Sequence, residues 1–169
     1  GKQGYRVIRP LAERTAYSEE LVPTDALTVA ILDTETTGTN PVKDRIIELG
    51  MILVQVCPRS GTAYRIVGTF NEFEAPGFPI PEESTRIHGI TDAMVSGKRI
   101  DDARLAEIIA GVDLIVAHNA AFDRQFAERR FPFFANKAWA CSFAQIPWNT
   151  EGIGSAKLEF LAYTCGFHY

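Results

Sequence analysis

Cysteine is scarce, and the three present are poorly placed for chemistry. Cys57, Cys141 and Cys165 are widely spaced and form no C-x-x-C pair. That spacing excludes a zinc ribbon and a disulfide framework. Cys141 and Cys165 lie in apolar contexts and read as small buried hydrophobes, which fits a reducing cytoplasm. Long apolar runs are also missing. No stretch approaches the roughly 18 residues that a membrane helix needs, and no basic-then-apolar leader opens a chain that begins at Gly1. The expectation is a cytoplasmic protein with no membrane partner. A basic excess is lacking too: 17 Lys and Arg stand against 21 Asp and Glu, a formal net charge of −4. This argues against a simple module that holds nucleic acid by neutralising phosphates. It leaves room for a site that grips phosphate through bound cations, because such a site is itself acidic.

What is present suits one globular domain. The chain has 169 residues with 46% hydrophobic and 22% charged side chains, enough for a sizeable core. Residues 1–25 are polar and mixed and read as an N-terminal extension, with 26–169 as the domain. Apolar, β-branched runs predict strands at 27–32, 46–56 and 63–74, the last two joined by the hairpin turn "CPRSG". A proline-rich loop leads to a short helix with Pro81 near its first turn. Asp101 is placed to cap a helix that carries Leu105, Ile108 and Ile109 on one face. "DLIVA" reads as a buried strand and "AAFDRQFAERR" as a helix. "KAWACS" suggests a further strand. "SAKLEFLAYTCG" reads as a helix starting near Ser155 and stopped by Gly166. An antiparallel start followed by alternating helix and strand predicts an α/β mixed sheet flanked by helices.

Three short motifs carry the chemistry. In "ILDTETTG", Asp33 and Glu35 are two apart and share a face if the strand continues through them. Two carboxylates so close repel unless a divalent cation joins them, and Mg²⁺ or Mn²⁺ prefers such oxygen ligands. Thr36, Thr37 and Gly38 then form a turn whose N–H groups can face a phosphate. An ordinary strand-end turn explains the same residues. In "HNAAFD", Asp123 falls in the first turn of a helix that directly follows a buried strand, where it either meets the first pair or complements the helix dipole. In "HGIT", Gly89 ends a helix and Thr91 caps the next. His88 and Ile90 are expected on an exposed turn, able to pack against a base or sugar.

In order and type, these motifs resemble those of the DEDD family of 3′–5′ exonucleases, in its histidine-type branch. That family includes the proofreading epsilon subunit of bacterial DNA polymerase III, RNase T and oligoribonuclease. The resemblance covers roughly residues 27–169 and implies an RNase H-like fold. It implies two divalent cations, Mg²⁺ or Mn²⁺, with Asp33 bridging them and Glu35 and Asp123 as further ligands. It also implies a pocket for the terminal nucleotide lined by Thr36, Thr37, His88, Ile90, Asn119 and Phe122. The implied activity is hydrolysis at the 3′ end of single-stranded DNA, with RNA open, in proofreading or repair beside a polymerase subunit.

The family's third motif pairs a general-base histidine with an aspartate five residues later. The only histidine after the last predicted helix is His168, followed by Tyr169 alone. The expectation is that the 169 residues are weakly active or inactive by themselves. Two other readings stand beside the exonuclease. One is a non-catalytic module that binds nucleic acid or a polymerase. The other is a phosphatase with Asp33 as nucleophile; Glu35 in place of a second aspartate and the hairpin opening disfavour it.

Overall fold

The computed structural model describes residues 9–168 apart from 11 and 13. The central sheet has five strands. They are β2 (Leu27–Thr36), β3 (Ile46–Val56), β4 (Ala63–Phe73), β5 (Leu114–Ala117) and β6 (Ala138–Cys141). Their spatial order is β4-β3-β2-β5-β6. β2, β3 and β4 are successively antiparallel, whereas β5 runs parallel to β2 and β6 parallel to β5. The sheet is therefore mixed and begins with three antiparallel strands, as its hairpin-forming turns require. A separate two-stranded ribbon joins β1 (Arg9–Pro10) to β7 (Phe167–His168) in parallel. The described part of the N-terminal extension lies on the edge strand: Ala16 bridges Arg65, and Tyr17 donates its N–H to the Tyr64 carbonyl at 2.6 Å.

Helices α1 (Glu82–His88), α2 (Asp92–Val95) and α3 (Asp102–Ala110) follow β4. Helix α4 (Ala120–Arg130) and a 3₁₀ turn (Pro132–Asn136) join β5 to β6, and α5 (Leu158–Thr164) precedes β7. The capping signals act as the sequence suggests. The Asp101 side chain accepts from the N–H groups of Ala103 and Arg104, both at 3.0 Å. Gly89 adopts φ 77° and ends α1 in the left-handed region that glycine tolerates best. Helix α5 starts at Leu158 rather than near Ser155, whose hydroxyl accepts from Lys157 N–H in the preceding turn at 3.2 Å.

One face of the sheet carries the main core. Ala30 and Leu32 of β2, Leu49 and Met51 of β3 and Ile115 of β5 pack with Leu105 and Ile109 of α3 and Phe126 of α4. This alternation places Thr34 on the core face. Asp33 and Glu35 then point to the opposite face. The cysteines depart from expectation. Cys57 is buried, Cys141 is half-buried and Cys165 is exposed. The apolar neighbours of Cys165 do not bury it, because it caps the end of a short helix. Among the described residues, no helix is long and apolar enough to cross a membrane.

Candidate active site

Strand β2 does not end at its apolar run but continues to Thr36, so Asp33 and Glu35 do share a face. Glu35 lies opposite Glu48 of β3 and Asp33 opposite Gly50, with a register irregularity just beyond, between Glu35 and Thr36. A cavity of about 230 Å³ opens over this patch, lined by Asp33, Glu35, Glu48, Gly50 and Asn71. The contribution of Glu48 was not legible in the sequence. It stands in an apolar strand, and only the pairing register places it against the D-x-E pair.

Asp123 arrives from the other side. The β2–β5 register is last paired at Ile31 and Val116, and β2 runs on past it. There the Asp123 carboxylate accepts from the Thr34 N–H at 3.0 Å and the Thr34 hydroxyl at 2.8 Å. Asp123 is only 2% exposed. The turn that delivers it is tight: Asn119 adopts φ 67° and starts α4 without a side-chain cap, and Asp123 falls in the first helical turn. Asparagine is among the few residues that accept this backbone region readily.

The carboxyls perturb one another. Burial pushes Glu35 up to about 7, with the negative charges of Asp33, Glu48 and Asp123 adding to the effect. Burial likewise raises Asp123 to about 6; the charge of Asp33 adds to this and the two Thr34 hydrogen bonds work against it. Asp33 is raised by burial first and by Glu48 second, with the nearby His118 acting in the opposite direction. A cation would relieve all three.

The donors are all carboxylate oxygens, the set that suits Mg²⁺ or Mn²⁺. Among the described residues, no three His, Cys, Asp or Glu side chains stand close enough to hold an ion by themselves. Magnesium does not need three. It is commonly held by one or two carboxylates, with water and substrate phosphate completing its shell. Asp33 and Glu35 fit that pattern, with Asp123 beside them.

Next to the carboxylates is a larger cavity of about 530 Å³, within the ~300–1,000 Å³ range of small-molecule sites. Glu35 lines it together with Thr36, Thr37, Gly38, His88 and Phe122. Its floor is a braced loop. The Thr37 N–H donates to the Arg45 carbonyl at 2.9 Å, the Arg45 N–H donates to the Thr37 hydroxyl at 3.0 Å, and Ser84 Oγ donates to the Thr37 carbonyl at 2.9 Å. The His88 Nδ1 accepts from the Ile90 N–H at 3.0 Å, which places the ring proton on Nε2. That Nε2 is buried with no hydrogen-bond partner. Desolvation lowers the His88 pKa, while the charge of Glu48 and a hydrogen bond with the Thr36 backbone act in the opposite direction.

Two residues implied by the motifs stand elsewhere. Ile90 is 3% exposed and packs with Ile47, Ile80 and Val95 in a second core cluster. The turn folds it inward, because Thr85 Oγ1 donates to its carbonyl and His88 takes its N–H. The exposed apolar residue of the cavity is instead Ile87, 86% exposed. Asn119 lines a different cavity, with His118. Phe122 packs partly against the core, its ring 5.1 Å from that of Phe126, and lines the larger cavity.

The mixed sheet thus carries paired carboxylates on its central strand β2 and a third carboxyl on α4, the helix that follows β5. The model of the RNase T exonuclease family matches residues 30–151, more than half of the chain, and the chain belongs to that family. The DNA polymerase III PolC-type protein of Listeria innocua is 35% identical over 113 residues, covering 66% of this chain and 7% of that protein. A DNA polymerase III subunit epsilon-like protein of Rhodobacter capsulatus is 38% identical over 112 residues, 64% of this chain and 15% of its own length. The PolC-type protein of Thermotoga petrophila is 33% identical over 130 residues, 75% of this chain and 9% of that one. The chain thus spans a small fraction of the curated relatives it matches. Among solved structures, E. coli exonuclease I in complex with a 5cy-dA13 oligonucleotide has a TM-score of 0.60 at 20% identity, covering 85% of this chain and 37% of that one. The metal-free form of its single-stranded DNA complex has a TM-score of 0.63 at 20% identity, covering 84% and 36%. These likenesses define the fold as RNase H-like.

Proposed function

We propose that the chain is a metal-dependent exonuclease domain that removes nucleotides from the 3′ end of single-stranded DNA. The observation that carries this is the mutual perturbation of Asp33, Glu35 and Asp123, each carboxyl pushed upward, with Glu35 lining a nucleotide-sized cavity. The family match and the solved neighbours, E. coli exonuclease I bound to single-stranded DNA among them, support the reading. A polymerase setting is supported by the PolC-type and epsilon-like relatives.

Asp33, Glu35 and Asp123 would hold two divalent cations, which when bound supply water activation and charge stabilisation at the phosphodiester. The protein residues do the rest. His88 donates from Nε2 to an acceptor of the terminal nucleotide. Phe122 and Ile87 present apolar surface to the base and sugar. The braced Thr36–Gly38 loop fixes the end of the strand, so the scissile bond lies over the carboxylates. The antiparallel β2–β3–β4 opening disfavours the aspartyl-phosphatase alternative, which needs a strand followed by a helix.

The test is a gel assay on 5′-labelled single-stranded DNA with Mg²⁺ or Mn²⁺. It uses the full-length protein, these 169 residues, and the full-length Asp33→Ala variant. A ladder shortening from the 3′ end of the DNA by the full-length protein, which Asp33→Ala abolishes, is expected. Equal cleavage by Asp33→Ala, or none by any of them, would overturn the proposal and favour a binding module.

A further inference from the structure

Glu48 faces the D-x-E pair but takes no part in the reaction proposed above. It stands across from Glu35 in the β2–β3 register, where opposed side chains share a face and lie about 5 Å apart. Two like charges in that position are destabilising. On the neighbouring strand and just beyond it, half-buried acids are paired with arginine: Glu72 meets Arg104 at 2.8 Å and Glu74 meets Arg130 at 2.7 Å. Glu48 is half-buried too. Among the described residues, however, no cationic side chain forms an ion pair with Glu48, Glu35 or Asp33.

Gly50 opens the space beside Glu48. One row of the sheet runs Asp33, Gly50, Asn71 across β2, β3 and β4. With no Cβ at Gly50, the row sinks to the backbone between two polar side chains. The cavity of about 230 Å³ occupies this trough, and Glu35 and Glu48 complete its lining. A Cβ at position 50 would enter it, meeting Asn71 Oδ1 at 3.6 Å, an ordinary contact, and nothing nearer. Gly50 lies within β3 and its φ is not positive, so backbone conformation does not call for glycine. Glycine inside a strand weakens it and often marks a place where a ligand approaches closely. The trough has room for several water molecules at ~30 Å³ each. Magnesium held by one or two carboxylates keeps several waters, and the partners of such a shell orient it. Asp33 and Glu35 both line the trough, so a cation held by them borders it.

We infer that Glu48 is a positioning residue: across the trough left by Gly50, its carboxylate accepts hydrogen bonds from water molecules on the cation held by Asp33 and Glu35, without ligating the ion itself. Asn71 closes the far end of the trough as a second polar contact for the same waters. The inference rests on the exonuclease reading, which supplies the cation.

The test measures Mn²⁺ binding to the full-length protein without DNA, by electron paramagnetic resonance of the free ion. Wild type is compared with Asp33→Ala, Glu48→Gln and Gly50→Val. Glu48→Gln removes the charge at constant size. Gly50→Val leaves every charge in place and fills the trough with a side chain that strands favour. Both are expected to weaken Mn²⁺ binding about tenfold, the low end for partners of metal ligands. Their Tm in EDTA should equal or exceed that of wild type, which separates the loss from unfolding. Gly50→Ala, whose methyl makes only ordinary contact, replaces valine if valine lowers Tm. Unchanged Mn²⁺ affinity in Glu48→Gln would overturn the inference. Loss in Glu48→Gln with none in the filled-trough variant would overturn it too, because Glu48 would then act only as a background charge. In both cases Asp33→Ala still abolishes binding and the exonuclease reading stands. Equal Mn²⁺ binding by wild type and Asp33→Ala would overturn both.

Discussion

Replacing Asp123 by asparagine should stabilise the metal-free protein while damaging its function. Asp123 is buried, with its Oδ1 accepting two hydrogen bonds from Thr34. An asparagine oxygen can accept the same two bonds, so the swap removes charge and little else. In the folded protein this carboxyl is raised from 3.8 to about 6, by burial first and then by Asp33. At ~1.4 kcal/mol per tenfold change in proton affinity, that displacement costs at most about 3 kcal/mol once the group is ionised. Part of it is shared with Asp33, so about 1–3 kcal/mol is the working range. Because the folded pKa lies above the unfolded one, the stability is fully present below about pH 4. It is lost as the pH rises through 6. In EDTA, wild type and Asp123→Asn should therefore melt together near pH 4. At pH 7.5 the variant should melt higher by roughly 2–12 °C, at ~2–4 °C per kcal/mol for a domain of this size. Circular dichroism melts at the two pH values decide it. Mg²⁺ should narrow the gap by stabilising only the wild type. A variant that melts at or below the wild type at pH 7.5 in EDTA would refute the claim that Asp123 is held at an electrostatic cost.

Other substitutions test the scaffold. In Gly38→Ala the new Cβ would come 2.5 Å from Asp44 Oδ2, an atom already accepting the Asn40 N–H at 2.7 Å. Asp44 must move, so the loop under the larger cavity loosens; KM should rise several-fold with Tm down by only a few degrees. Arg130 forks between Glu74, at 2.7 and 2.9 Å, and Asp102, at 2.8 and 3.1 Å, and covers the Phe131 ring at 4.3 Å. Arg130→Ala should cost about 2–3 kcal/mol in urea unfolding, below the fully buried case because the guanidinium is partly solvated, and lysine should not restore it. Asp102 is held below the usual carboxylate range by Arg130, so its share of that stability is present above pH 4 and lost as the pH falls further.

Much of this molecule could be read along the chain, because the signals concerned are local. A two-residue spacing places Asp33 and Glu35 on one face of any strand, and β2 extends far enough to make it so. Asp101 and Gly89 act through backbone groups two to four residues away. Asp123 follows a strand and a turn at a spacing that fixes it in the first turn of α4.

What failed to show required knowing what lies across from what. Glu48 belongs with the carboxylates only through the β2–β3 register. Ile90 was expected outward and lies in the core, because the fold-back at Gly89 exchanges it with Ile87. Cys165 has apolar neighbours in sequence yet is exposed at a helix end. Phe143 and Lys157, fourteen residues apart, line one cleft because the loop after β6 returns to His118. The sequence by itself determined which residue types were available and which local faces they occupy, since strand and helix periods are short-range geometry. Tertiary packing decided which faces meet, and that meeting sets the burial and mutual repulsion of the carboxylates on which the proposed chemistry depends.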